Sequence, residues 1–201
     1  MKIHLLDMGQ TKYGDCILIT HNNRNILIDG GHPGDTDKIR FQLSKILNSE
    51  SPFRIDLLIV THCHNDHIGC LPALISLGDI EPQLAVIADE RMGFGLPADD
   101  AAVDSIRRMN STAKGLFVGL QEEDHSDMED DEIEQFLFDA ARLVDKYQQM
   151  ISDLDGIEII RYGVNDWEWR QRIEDQFQDF GLKFIGPDTD HLRRCHCAQF
   201  K

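Results

Sequence analysis

Positive charge is scarce in this sequence: 20 Lys and Arg stand against 36 Asp and Glu, giving a formal net charge of -16. Such a surface repels phosphates over most of its area, which argues against extended nucleic-acid binding, although a local metal site can still attract a single phosphate group. No apolar run approaches the roughly 18 residues that a membrane span requires. The opening, "MKIHLLDMGQ", has one lysine and reaches an aspartate at position 7, too early and too polar for a secretory leader. The cysteines, at positions 16, 63, 70, 195 and 197, are odd in number and lack the spacing of a disulfide framework. Internal repeats are lacking too. These absences set the expectation of a cytoplasmic protein with no membrane attachment.

What is present suits one domain with a proper core, 201 residues of which 41% are apolar. Residues 3–8 and 16–20 read as strands, and "NRN" at 23–25 turns the chain into a third, "ILIDGG" at 26–31. Gly30 and Gly31 stop that strand and permit a tight backbone. Ile39, Leu43, Ile46 and Leu47 fall on one face of a predicted helix over 38–48, with Asp35, Thr36 or Asp37 as its cap. "IDLLIV" at 55–60 has branched residues and no helical period, so it is expected to be a buried strand. A short helix over 68–77, a strand "LAVIA" at 84–88 and a helix over 99–110 follow. This alternation is that of an α/β, or α+β, layered fold.

Between Gln121 and Glu134 nine of fourteen residues are carboxylates, which places the segment in solvent. It leads into a predicted helix whose Ile133, Phe136, Leu137, Ala140, Val144 and Tyr147 recur at three- and four-residue steps. A solvated helix entry suited to the helix dipole is the plainer reading, and a cation-binding or partner-docking patch the alternative. A strand is expected at 157–163, a helix at 166–180 and a final strand in "LKFIGP" at 182–187. Trp169, Ile173 and Phe177, at helical spacing in acidic surroundings, read as core rather than as a base-stacking platform.

The chemistry concentrates in "LLIVTHCHNDHIGC", residues 57–70. His62 and His64 are two apart, so continued strand geometry points both imidazoles to one side. Asp66 and His67 follow after a turn and present an oxygen and a nitrogen to a neighbouring position. Imidazole and carboxylate both suit Zn2+, and two such pairs suggest two zinc ions sharing a bridging water that the cations convert to a metal-bound hydroxide. Asp66 would ligate and orient that nucleophile, which makes it the candidate catalytic residue. Two alternatives stay open: surface histidines with Asp66 capping a helix, and a closed structural zinc site recruiting Cys63 or Cys70. Against the second, Cys63 should face away from both flanking histidines.

"THCHNDHIG" resembles the H-x-H-x-D-H signature of the metallo-beta-lactamase fold. "ILIDGG" is similar to that superfamily's preceding strand and acidic turn, and the opening "LLDMGQTKYGDCILI" resembles the start of the branch containing the soluble domain of the ComEC/Rec2 competence proteins, with "TKY" interposed. The resemblance implies an αββα sandwich, here incomplete at the C-terminus, over residues 1–186, followed by an atypical tail at 187–201. It implies a zinc-dependent hydrolase of a small-molecule, nucleotide or phosphodiester substrate, with His62 and His64 on the first metal and Asp66 and His67 on the second. Asp29 would support the metal loop together with Gly30 and Gly31, while Asp7 and Asp15 are further candidate site residues. The Gly-Asp strand end and "HHGS" of the family's second half do not follow "IGP". The tail instead carries His191, Cys195, His196 and Cys197, readable as improvised ligands or as plain tail, and His125 in the acidic loop is read as solvent-exposed. Each ion is thus left with two evident ligands, so weak metal binding and low turnover are expected of the isolated chain. An oligomer or second chain that completes the site is one expectation; a truncated, non-catalytic relative acting as a partner subunit or fragment is the other.

Overall fold

The computed structural model describes residues 1–8, 14–61, 65–88, 145–162 and 167–185. His62, His64, the predicted helix at 99–110, the acidic segment with His125, most of the helix at 133–147, and His191 with the tail from 187 lie outside the described residues.

One six-stranded mixed sheet organises the described chain, in the order β1 (Lys2–Leu5), β2 (Ile17–His21), β3 (Arg24–Ile28), β5 (Leu57–Val60), β7 (Leu84–Ala88), β8 (Glu158–Tyr162). The first three strands run antiparallel, and β3, β5, β7 and β8 run parallel. The tight β2–β3 turn has Asn22 and Asn23 at φ 49° and 60°. Asparagine tolerates this left-handed backbone, and the twist of such a turn matches that of the strands it joins. The turn therefore falls one residue ahead of the predicted "NRN". A second, two-stranded parallel sheet pairs β4 (Phe53–Ile55) with β6 (Ile80–Pro82).

Helices lie on both faces of the large sheet. Alternation along the strands sends Leu18, Leu27, Leu58, Val60, Ala85 and Ile87 to one side. There they meet Ile39 and Leu43 of α1 (Thr36–Leu47), Leu71 and Leu74 of α3 (Leu71–Ser76), and Tyr147 and Met150 of α4 (residues 145–153). The opposite face gathers Ile26, Leu57, Ile59, Leu84, Val86 and Ile160 against Ile173 of α5 (Trp167–Gln176) and against Phe177 and Phe180. Each fully buried aliphatic side chain contributes about 1.5–3 kcal/mol relative to exposure. The Arg24 guanidinium lies 4.2 Å above the Phe177 ring and hydrogen-bonds Asp179 Oδ1 at 3.0 Å, tying the hairpin to the end of α5.

Cover on this second face runs out toward the edge strand. Ile3 and Leu5 sit opposite Ile19 and Ile17 and share their side of the sheet, yet they are 61% and 78% exposed.

Two expectations are corrected. The helix predicted over 68–77 is the shorter α3, which a separate single turn, α2 (Asn65–Ile68), precedes across Gly69 and Cys70; Pro72 lies in the first turn of α3. Proline there loses no helical hydrogen bond, because that amide has no intrahelical acceptor. The final strand expected in "LKFIGP" is absent from 182–185, the part of it that is described. Instead the Phe184 amide donates to Glu174 Oε1 at 2.8 Å and Lys183 Nζ pairs with Glu174 Oε2 at 2.6 Å, so α5 rather than a sheet neighbour holds the segment.

Candidate metal centre

Strands β3 and β5 end side by side, with Ile28 paired to Ile59. At this end the Asp29 amide donates to the Ile59 carbonyl at 2.9 Å, and the Asp29 backbone then turns left-handed, at φ 57°. The turn brings the carboxylate to Thr61, which follows the last residue of β5. Oδ1 accepts the Thr61 amide at 2.8 Å, and Oδ2 accepts the Thr61 hydroxyl at 2.5 Å and the His67 Nδ1–H at 2.9 Å. Asp29 is only 2% exposed. Three donors on one buried carboxylate offset its removal from water.

A single helical turn, α2, carries Asp66 and His67, and neighbouring loops hold it by its carbonyls. The Asp15 amide donates to the Asp66 carbonyl at 3.2 Å, and the Gly30 amide donates to the His67 carbonyl. The Gly31 amide in turn donates to the Asp15 carbonyl at 2.9 Å. This clamp needs glycine. A Cβ on Gly14 would lie 2.5 Å from the Asp66 carbonyl oxygen, and one on Gly31, whose φ is 64°, would collide with Met8 Sδ.

A carboxylate only accepts, so the hydrogen on His67 Nδ1 points at Asp29. The other ring nitrogen, Nε2, then faces Asp66, whose Oδ2 is 3.7 Å away. Nitrogen and oxygen ligands at zinc distances in a tetrahedral arrangement stand about 3.4 Å apart, so this pair needs only a small closure to hold one cation. Carboxylate, imidazole and metal in series is also how proteins fix the tautomer of a ligating histidine. As nitrogen and oxygen donors, His67 and Asp66 are of a kind that suits a divalent cation such as zinc, and would supply two of its ligands. Among the described residues no three metal-type donors are gathered. His62 and His64, the other two expected ligands, fall in the undescribed 62–64.

Burial of His67 disfavours its charged form, but the Asp29 hydrogen bond and the nearby charges of Asp29, Asp66 and Asp15 outweigh it. The imidazole pKa is raised above 6.5 as a result.

The other candidates fall in different places. Asp15 acts through its backbone, as described. Asp7 pairs with Lys38 at 2.7 Å, and Gln42 brackets its backbone on both sides. Cys70 is buried and donates from Sγ to the His32 carbonyl at 2.8 Å; desolvation pushes its thiol up to about 11. A protonated thiol engaged in this way is a poor metal donor. Sequence reasoning overlooked Thr61 and Gly14. A threonine at a strand end carries no distinctive signal, and Gly14 shows its role only once Asp66 is seen above it.

Residues 10–140 match the Metallo-beta-lactamase superfamily, and the chain belongs to that superfamily. Its mixed α/β architecture is of the metallo-beta-lactamase fold. It is similar to an Integrator complex subunit 11 homolog of Dictyostelium discoideum, 37% identical over 75 residues, which are 36% of this chain and 10% of that protein. It is also similar to cleavage and polyadenylation specificity factor subunit 3-II of Arabidopsis thaliana, 34% identical over 71 residues, 34% of this chain and 12% of the relative. The matched stretch thus spans only about a tenth of the length of these relatives. Among solved structures, a Thermotoga maritima metallo-beta-lactamase aligns over 85% of this chain and 60% of its own, at 13% identity and a TM-score of 0.39.

Proposed function

We propose that the chain is the metal-binding part of a hydrolase acting on a phosphodiester or nucleotide, with His62 and His64 serving one zinc ion and Asp66 and His67 a second. The observation that carries this reading is the Asp29–His67 hydrogen bond, which turns Nε2 toward the Asp66 carboxylate. When bound, the cations would acidify water and draw electron density from a phosphoryl oxygen. The chain's own residues supply the positioning. Asp29 holds the His67 ring, Asp66 offers its carboxylate beside Nε2, and the loops of Gly14, Asp15, Gly30 and Gly31 fix the turn that carries both.

The substrate class has two supports. A relative's name speaks of cleavage and polyadenylation, and "LLDMGQTKYGDCILI" is similar to the competence-protein branch. A net charge of -16 favours engagement of one phosphate at the site over a long bound strand. We place the protein in the cytoplasm. The described cysteines Cys16 and Cys70 are free thiols, and no helix among the described residues is long and apolar enough to cross a membrane.

A second reading is a non-catalytic relative that acts as a partner subunit or fragment, its site completed by another chain or protomer. The described donor set favours it, because Asp66 and His67 supply two ligands where an ion normally takes three or more from protein. Metal content after purification, measured beside hydrolysis of bis(p-nitrophenyl) phosphate with His64→Ala as control, separates the two. Retained zinc and turnover that the substitution abolishes support the hydrolase; no metal and equal background rates support the non-catalytic relative.

A further inference from the structure

We propose that Thr61 is a positioning residue of the metal centre, whose hydroxyl and amide fix both oxygens of Asp29 and thereby set the tautomer and direction of His67. The inference rests on the reading of His67 as a metal ligand, but it makes a claim about the ring that holds without metal.

The geometry is specific. The Thr61 amide is directed to Asp29 Oδ1 at 2.8 Å, and the Thr61 hydroxyl to Oδ2 at 2.5 Å, so one residue grips the carboxylate at two points. Oδ2 is also the atom that receives His67 Nδ1–H. With its rotation blocked, Oδ2 keeps a lone pair aimed at Nδ1. Losing the hydroxyl leaves the Thr61 amide on Oδ1 as the one backbone anchor of the carboxylate, with only the His67 ring itself still on Oδ2. The ring then gains access to the tautomer with the proton on Nε2, which leaves the nitrogen beside Asp66 without a lone pair for a cation.

Core packing does not account for the threonine. The residue is exposed as a whole, while Asp29 beneath it is buried. Valine matches the shape of threonine and removes only the hydroxyl; serine keeps the hydroxyl and removes only the methyl.

The test uses the full chain as wild type, Thr61→Val, Thr61→Ser and Thr61→Ala. The ring nitrogens of His67, assigned by their loss in His67→Gln, are observed by 15N NMR in metal-free protein at a pH where the ring is neutral. Zinc affinity is measured in parallel by calorimetry. Wild type and Thr61→Ser are expected to hold the proton on Nδ1. Thr61→Val and Thr61→Ala are expected to show a tautomer mixture and a loss of zinc affinity of about 10–100-fold. Serine should restore both. The valine and alanine forms keeping the wild-type tautomer would overturn the proposal, whichever of them folds. A tautomer shift in a chain whose wild type takes up no zinc leaves the role of Thr61 standing and removes the metal reading. Zinc uptake by wild type with no tautomer shift in the variants does the reverse.

Discussion

Asp29 and His67 lie 38 residues apart in sequence and meet at 2.9 Å across the end of the central sheet. The contact joins the strand that ends at Ile28 to the turn that follows β5, so the metal motif is braced by a strand some thirty residues upstream. Asp29→Asn keeps the shape but replaces an acceptor oxygen with a donor that opposes Nδ1–H or the Thr61 donors. A stability loss of about 1–3 kcal/mol is expected in urea denaturation, because a buried polar group is left unsatisfied. Zinc affinity, read by calorimetry, should fall with it. Wild-type values for both would show that the carboxylate does not brace the ring.

The glycine pair after Asp29 has no room for a side chain. A Cβ on Gly30 would sit 2.5 Å from Leu71 Cγ, and on Gly31 it would meet Met8 Sδ at a left-handed φ of 64°. Gly30→Ala is expected to cost about 1–3 kcal/mol by overpacking. Gly31→Ala should cost more, since alanine also resists the positive φ. Melting curves of the two variants give the order directly.

Burial raises the thiol pKa of both Cys16 and Cys70, the latter to about 11. Iodoacetamide at pH 8 is expected to leave both unlabelled in native protein and to label both in urea, as read by mass spectrometry. The same shift sets a sign for stability. A thiol whose folded pKa lies above its usual 9.0 stays protonated in the folded chain after the unfolded chain has released its proton. Stability contributed by Cys70 is therefore complete below pH 9.0 and declines as the pH rises toward 11.

The centre and the edge of the sheet should respond differently to substitution. Leu58 is fully buried between β3 and β7, and Leu58→Ala is expected to cost about 2–5 kcal/mol. Leu5 is 78% exposed on the edge strand. Leu5→Lys should therefore stay within about 0.5 kcal/mol of wild type in the same denaturation assay.

The parts of the molecule legible in the sequence were those with a strong local pattern. "LLIV" at 57–60 has no polar interruption and became the central strand β5, buried on both faces. Ile39 and Leu43, one helical turn apart, announced α1 and are both fully buried. The β4–β6 pair escaped notice because three-residue strands such as "FRI" and "IEP" are too short for alternation to show, and a proline argues against a strand. "LKFIGP" misled in the other direction: its apolar residues look like a strand, but Glu174 supplies the acceptor for the Phe184 amide, and Ile185 is 94% exposed. At the site, the density of ligand-type residues singled out Asp66 and His67, but the one-turn helix that carries them was not expected, since the helix was placed from Ile68 onward. Nor was the grip of Thr61 on Asp29, since it depends on two strand ends lying side by side.

Zinc titration of the metal-free chain by calorimetry, wild type beside His67→Ala, tests the central claim most directly. Two ions bound per wild-type chain, one of them lost with the imidazole, is the expected result. No uptake by wild type, or identical isotherms for both proteins, would contradict it.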